Sequence, residues 1–206
     1  MSAPGEASRR YGGKTSDERR AERREKLLDA GLEVFGTVGY AGTTIEMLCA
    51  ATRLNPRYFY EQFQTREALL LAVYNRHVDR VLAEVAAALA SAPAEPRERL
   101  ETGLRAFVTG VLSDPHEARI NYFEIVGVSP ALEERRRQVL GTYADLIATQ
   151  MEQFAPNRPP PGGDRRRAAV ALVSATDGLI TDSLSDPAAS DREQIIATLL
   201  DIFVPA

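Results

Sequence analysis

Apolar residues recur along this chain at the three- and four-residue spacing of amphipathic helices, and no stretch sustains the alternation of a strand. From about Ser16 to Val38, Leu27, Gly31, Val34, Phe35 and Val38 fall on one side, and Gly39-Tyr40-Ala41-Gly42 ends the run. A second, short helix is predicted from Thr43, with Glu46 three positions on to complete a capping box. Ile45, Leu48 and Cys49 give it a narrow apolar face, and Thr52-Arg53-Leu54 breaks it. Asn55-Pro56 starts a third, since Asn is a strong N-cap and Pro in the first position gives up only an amide that had no partner. Phe59 and Phe63, four apart, bury one face of it and leave Pro56, Arg57, Tyr58, Tyr60, Glu61 and Gln62 on the flanks and outer face. Three such small faces cannot be stable separately, so Leu28, Leu32, Phe35, Ile45, Leu48, Cys49, Leu54, Phe59 and Phe63 are expected to share one core.

Beyond this point proline marks nearly every joint. A long helix from Thr65 to about Ala90 ends before Pro93, and Pro96 begins the next, with Leu100, Leu104, Phe107, Val108 and Val111 on its apolar side. Asp114-Pro115-His116-Glu117 opens a short segment through Tyr122 and Phe123. Ser129-Pro130 opens a helix to about Phe154 with the stripe Leu140, Tyr143, Ile147 and Met151. Asn157 to Gly163 reads as a loop, Asp164 caps a helix ending near Ser185, and Ser190-Asp191-Arg192-Glu193 caps the last, ending near Val204. The fold expected is all-α, with about nine helices. Its parts are a basic arm over residues 1–15, expected to be disordered, a three-helix domain over 16–64, and a larger helical domain over 65–206.

Charge changes the picture once it is divided along the chain. The total is −4, yet residues 1–66 carry 11 Lys and Arg against 9 Asp and Glu, and the remainder 14 against 20. The excess of positive charge therefore sits on the three-helix domain, where Arg9, Arg10, Lys14, Arg19, Arg20, Arg23, Arg24 and Lys26 would attract phosphates, although a solvated helix face has the same composition. One cysteine and two histidines leave no metal-ligand cluster and no disulfide, which suits a reducing cytoplasm. No apolar run approaches the roughly 20 residues of a membrane span, and residues 1–26 lack the apolar core of a signal peptide. Neither a Gly-rich phosphate loop nor a nucleophile elbow nor a His-carboxylate cluster occurs. No catalytic residue, cofactor or metal is expected, and an enzyme is disfavoured.

Two short helices joined by a turn of three or four residues form a helix-turn-helix, whose second member can lie in the major groove of double-stranded DNA. By chemistry and position, Thr43, Thr44, Tyr60, Gln62 and Arg66 suit phosphates. Arg57 suits the O6 and N7 of guanine, with Asn55, Pro56 and Tyr58 beside it, although Tyr58 also suits packing against a neighbouring helix. In the larger domain Phe107, Tyr122, Phe123, Tyr143, Ile147, Met151 and Asp177 are candidates for a mostly apolar ligand pocket, and Asp177, if inward, would favour a cationic or hydrogen-bond-donating ligand. The penultimate helix is rich in small residues, among them Ala168, Ala171, Ser174, Ala175 and Gly178. With Ile195, Ile196, Leu199, Leu200, Ile202 and Phe203 on the last, its surface is wide enough for a homodimer interface, or else for the chain's own core.

Between Leu27 and Leu71 the chain resembles the tetracycline-repressor (TetR) family of bacterial transcription regulators. Leu28-Asp29-Ala30-Gly31 through Phe35 and Gly39-Tyr40 look like the family's first helix and its exit, and Thr43-Thr44-Ile45 like its second start. Leu48-Cys49-Ala50-Ala51-Thr52-Arg53-Leu54-Asn55 stands where the family usually shows Ile-Ala-x-x-Ala-Gly-Val-Ser. Phe59-Tyr60-x-x-Phe63 and Arg66-Glu67-Ala68-Leu69 then follow its Leu-Tyr-x-x-Phe and Lys-Glu-x-Leu. Two departures stand out: Thr52 replaces an alanine and Arg53 the turn glycine, which adds Arg53 to the residues that can touch DNA. The resemblance implies a homodimer on a palindromic operator, with two helix-turn-helix heads on an effector-binding and dimerising body. Repression would persist until an unidentified small molecule binds and the long fourth helix alters the spacing of the recognition helices. The readings left open are a constitutive DNA binder without effector and a helical partner-binding module that does not touch DNA.

Overall fold

The computed structural model describes residues 15–157, 159–186 and 191–204. The arm residues Arg9, Arg10 and Lys14, and Ser190, lie outside the described residues. Among those described there are nine α-helices: α1 (Ser16–Val38), α2 (Ile45–Thr52), α3 (Pro56–Gln62), α4 (Arg66–Ala90), α5 (Pro96–Val111), α6 (Pro115–Arg119), α7 (Pro130–Phe154), α8 (Arg165–Ser185) and α9 (Arg192–Phe203). A π-helical turn, Ile120–Glu124, continues α6.

Local chemistry sets most of these boundaries. Asn55, Glu95, Asp114 and Ser129 each cap a helix whose first residue is proline, their side chains accepting from amides of the first turn. Two starts differ from expectation. The cap of α2 is Thr44, whose hydroxyl accepts from the amide of Met47, because the Thr43 hydroxyl is turned inward to donate to the carbonyl of Gly39 at 2.7 Å. The cap of α9 is Asp191, in a capping box with Gln194.

The first compact unit runs through Val73 and includes the start of α4. Its core joins Leu27, Leu28, Phe35, Leu48, Cys49, Phe59 and Phe63 with Leu69, Leu70 and Val73. Leu32, Ile45 and Leu54 are only half-buried, and Val38 is exposed. Gly31 permits the close approach of α1 to α4, since a Cβ there would lie 3.0 Å from Val73 Cγ2 and 3.2 Å from Leu69. The second unit, from Tyr74 onward, packs α7 on α8, α5 on α9 and α8 on α9 around Val81, Val85, Leu104, Val108, Leu172, Ile180, Ile196 and Leu199.

Arg53 ends α2 in the left-handed region, φ 54° and ψ 32°, and its amide donates to the carbonyl of Ala50 at 3.2 Å. An L-residue with a side chain pays roughly 1 kcal/mol there, which glycine does not. Arg53→Gly should therefore raise the urea midpoint of unfolding by an amount equivalent to about 0.5–1 kcal/mol.

Candidate nucleic-acid interface and interior cavity

A helix of seven residues has no stability of its own, so α3 depends on its anchors. Phe59 is wholly buried, with the Phe63 ring 6.1 Å away and Tyr60 edge-on at 5.6 Å. That anchoring turns the other side of α3 outward. The Arg57 side chain is 84% exposed, and Tyr60 is 56% exposed. Asn55 and Pro56 are exposed as well, while Gln62 is half-buried. Asn55 is not wholly free to read bases, because its Oδ1 accepts from the Arg57 amide at 2.9 Å. Arg57 pairs with Glu61 one turn on, at 3.1 Å. An exposed i,i+4 pair is worth only about 0.3–0.5 kcal/mol. So weak a pair leaves the guanidinium available to a stronger partner.

Two assignments made on the sequence change. Thr43 is fully buried and its hydroxyl is spent on Gly39, so its side chain cannot reach a phosphate; Thr44, exposed at the helix start, can. Arg66 is turned back into its own unit: Nη1 donates to the carbonyls of Tyr40, at 3.1 Å, and Thr43, and the guanidinium lies 5.0 Å from the Tyr40 ring centroid. It clamps the chain between α1 and α2 and is not displayed as a phosphate ligand. Tyr58 is 38% exposed, with the Arg23 guanidinium 4.6 Å from its ring centroid; Arg24 covers Phe63 at the same distance. Two of the cations that the charge pattern offered to phosphates thus also roof the aromatic face of α3. Arg53 is exposed beside the turn.

The second unit encloses a cavity of about 200 Å³. Phe107, Tyr122, Tyr143, Ile147, Met151 and Asp177 line it, with Phe107 and Tyr143 edge to face at 4.9 Å. Phe123 does not: it is 41% exposed, because the π-helical turn advances the chain by an extra residue and sends Tyr122 inward in its place. The lining also takes Tyr74, His77, Leu100, Leu104 and Arg136, which the sequence reading missed. Those on α4 were visible as a 3–4 spacing, Tyr74, His77, Val78, but the same spacing serves any core. Asp177 faces inward yet is paired with Arg136 at 3.0 Å, so its preference for a cationic ligand is cancelled by a fixed guanidinium. Burial raises the Asp177 carboxyl above its usual range, and Arg136 opposes that. Burial also pushes the Tyr74 hydroxyl up to about 12 and raises Tyr122 and Tyr143, which keeps all three as protonated donors.

Beside the cavity, His77 Nδ1 lies 2.9 Å from Glu117 Oε2, and Arg80 donates to the same oxygen and to the carbonyl of Gly110. The hydrogen bond with His77 holds the Glu117 carboxyl below its ordinary range; burial opposes this and Arg80 adds to it. The unfolded chain therefore binds this proton at higher pH than the native state. The resulting stabilisation is complete above the ordinary carboxylate pKa, about 4.3, and is lost as pH falls through the depressed native value. Glu117→Gln should flatten the fall of Tm on acidification from pH 5 to 3 relative to the parent, as read by circular dichroism.

The family model for bacterial regulatory proteins of the tetR family matches residues 27–73, and that for the C-terminal region of BetI-type transcriptional repressors matches residues 96–203. The transcriptional activator FasR of Mycolicibacterium smegmatis is 32% identical over 101 residues, which are 49% of this chain and 46% of that protein, so the chain aligns with less than half of this curated relative's length. The fatty acid degradation regulator FadR of Bacillus halodurans has a similar structure, with TM-score 0.77, 16% identity, and coverage of 87% of this chain and 93% of the other. FadR of Bacillus subtilis, in complex with stearoyl-CoA, gives 0.76 and 16%, over 88% of this chain and 98% of the other. At that identity the two structures speak for the fold. The two family models between them cover the helix-turn-helix unit and more than half of the chain beyond it, and the protein belongs to the tetR family of bacterial regulatory proteins.

Proposed function

We propose that this regulator binds a palindromic operator as a homodimer through α3 and is released from it when a small, mostly apolar molecule occupies the cavity of the second unit. The observation that carries the reading is the two-sidedness of α3: Phe59 holds it from within while Arg57 and Tyr60 stand exposed on the opposite side. In this reading Arg57 reads base edges with Pro56, Thr44 and Tyr60 take phosphates, and Asn55, Gln62, Tyr58 and Arg53 flank them. The dimer would use α8 and α9. Their outward residues include Val170, 44% exposed, Ala171, Ser174 and Gly178, which allow close helix approach, and Ile202, 59% exposed. The cavity supports an effector over a constitutive binder, and the stearoyl-CoA complex of the Bacillus subtilis protein shows a relative of this fold with a ligand. Repression is the direction proposed, with the inducer binding the released conformation better than the DNA-bound one.

Selection of bound sequences from random DNA is the test. The expected product is a palindrome with half-sites about 34–36 Å apart, one helical turn or a multiple of it. On that operator Arg57→Ala should weaken binding by about 1–3 kcal/mol and relax the preference at one base pair per half-site. Equal weakening on every sequence would assign Arg57 to the backbone, and a non-palindromic product would remove the dimer.

A further inference from the structure

The cavity of the second unit has two ends of different character. At one end stand Tyr74, Tyr122 and Tyr143 beside the Arg136–Asp177 pair; among the described residues no group exchanges a hydrogen bond with any of the three hydroxyls. A buried tyrosine hydroxyl ordinarily has a partner, so three together, facing one space, are suited to an acceptor brought by a ligand. At the other end Arg99 is fully engaged. Its Nε donates to Gln150 at 2.7 Å, its Nη2 to the carbonyl of Leu89 at 2.8 Å, and its guanidinium covers Phe154 at 3.7 Å. Between the ends the walls are hydrocarbon, from Val85, Leu100, Leu104 and Ile147. Tyr74 and Leu89 lie 15 positions apart on α4, which places the ends about 22 Å apart at 1.5 Å per residue.

Two ligand classes suit a space walled by aromatic rings, and charge separates them. Tyrosine faces would attract a quaternary ammonium. Asp177 cannot complete such a site, because Arg136 neutralises it at 3.0 Å and presents a cation of its own. A carbonyl oxygen carries no charge to be opposed and accepts from the tyrosine hydroxyls. The volume sets the tail. A cavity of about 150 Å³ holds benzene, which gives about 25 Å³ per heavy atom, so 200 Å³ accommodates about eight. The volume, and not the 22 Å span, therefore sets the length of chain that fits.

Resting on the reading of the second unit as an effector-binding body, we propose that the effector is a medium-length saturated acyl group, its carbonyl oxygen accepting from hydroxyls of the Tyr74, Tyr122 and Tyr143 cluster and its tail directed along α4 toward Leu89. Gly103 lies against Leu89 where the tail would end, since a Cβ there would come within 3.3 Å of the Leu89 side chain.

The test is calorimetric titration of the full chain with octanoate, octanoyl-CoA, palmitoyl-CoA and tetramethylammonium, alongside binding to the selected operator. One of the octanoyl ligands should bind best, and which one distinguishes a free acid from a thioester. Tyr143→Phe, with an unchanged melting curve, should weaken that ligand about five- to tenfold, the loss of one hydrogen bond. Gly103→Leu should move the optimum to shorter chains. Tighter binding of tetramethylammonium, an acyl ligand indifferent to Tyr122→Phe and Tyr143→Phe, or no acyl binding at all would overturn the proposal. If operator binding survives any of these, the effector class alone falls; if the parent binds no DNA, the regulatory reading falls with it.

Discussion

Phe59→Ala is expected to cost the first unit about 3–5 kcal/mol, the largest effect of any single truncation on the recognition helix. Phe59 has no exposed surface, and α3 has seven residues. The helix cannot persist through its own hydrogen bonds, so nearly all of its order comes from this ring and that of Phe63. Collapse around the vacated space is restricted, because Phe63, 6.1 Å away, and the helices α1 and α2 that pack on α3 belong to one packed core. Urea denaturation should show the midpoint falling with little change in slope, and operator binding should be lost in parallel. Tyr60→Ala is the control. With 56% of the residue exposed, it should change stability by less than about 1 kcal/mol and act on DNA binding alone. An unchanged midpoint for Phe59→Ala would mean that α3 is held by something other than its apolar face.

The helices and their starts were legible because their determinants are local. Asn55-Pro56, Asp114-Pro115 and Ser129-Pro130 each combine a side-chain cap with a fixed φ, and nothing distant competes with that arrangement. Family membership was legible for the same reason, since the motif lies within one continuous stretch. What escaped was decided by tertiary neighbours. Thr43 and Thr44 are equivalent as caps, and only the inward hydrogen bond to Gly39 makes Thr44 the one used. The exposure of Phe123 depends on a π-helical turn that simple 3.6-residue periodicity cannot register. Asp177 looked like a lone anion because its partner, Arg136, lies 41 residues away on another helix. Part of the cavity lining was nonetheless within reach, since an apolar stripe such as Tyr143, Ile147 and Met151 must face some interior, and here that interior contains a cavity.

Arg66 poses the sharper case, because position and charge both recommended it as a phosphate ligand while its contacts give it other work. Arg66→Ala is expected to destabilise the first unit by about 2–3 kcal/mol, as a charged donor to two backbone carbonyls and a cation–aromatic contact are lost together. The carbonyls of Tyr40 and Thr43 belong to the chain between α1 and α2; that of Tyr40 also accepts from the Thr43 amide at 3.3 Å, so the loss falls mainly on that of Thr43. Partial exposure of the site lets water recover some of the loss, which keeps the figure below the sum of the separate contacts. Arg66→Lys should restore little, since an ammonium lacks the planar fork that reaches both oxygens and the flat face over Tyr40. Binding by the remaining folded Arg66→Ala protein should keep the parent's base preference and its salt dependence. A variant with an unchanged urea midpoint and a salt slope reduced by about one would instead make Arg66 a backbone contact on DNA. The two arginines then separate cleanly: Arg57 should move affinity and base preference at constant stability, and Arg66 stability at constant preference.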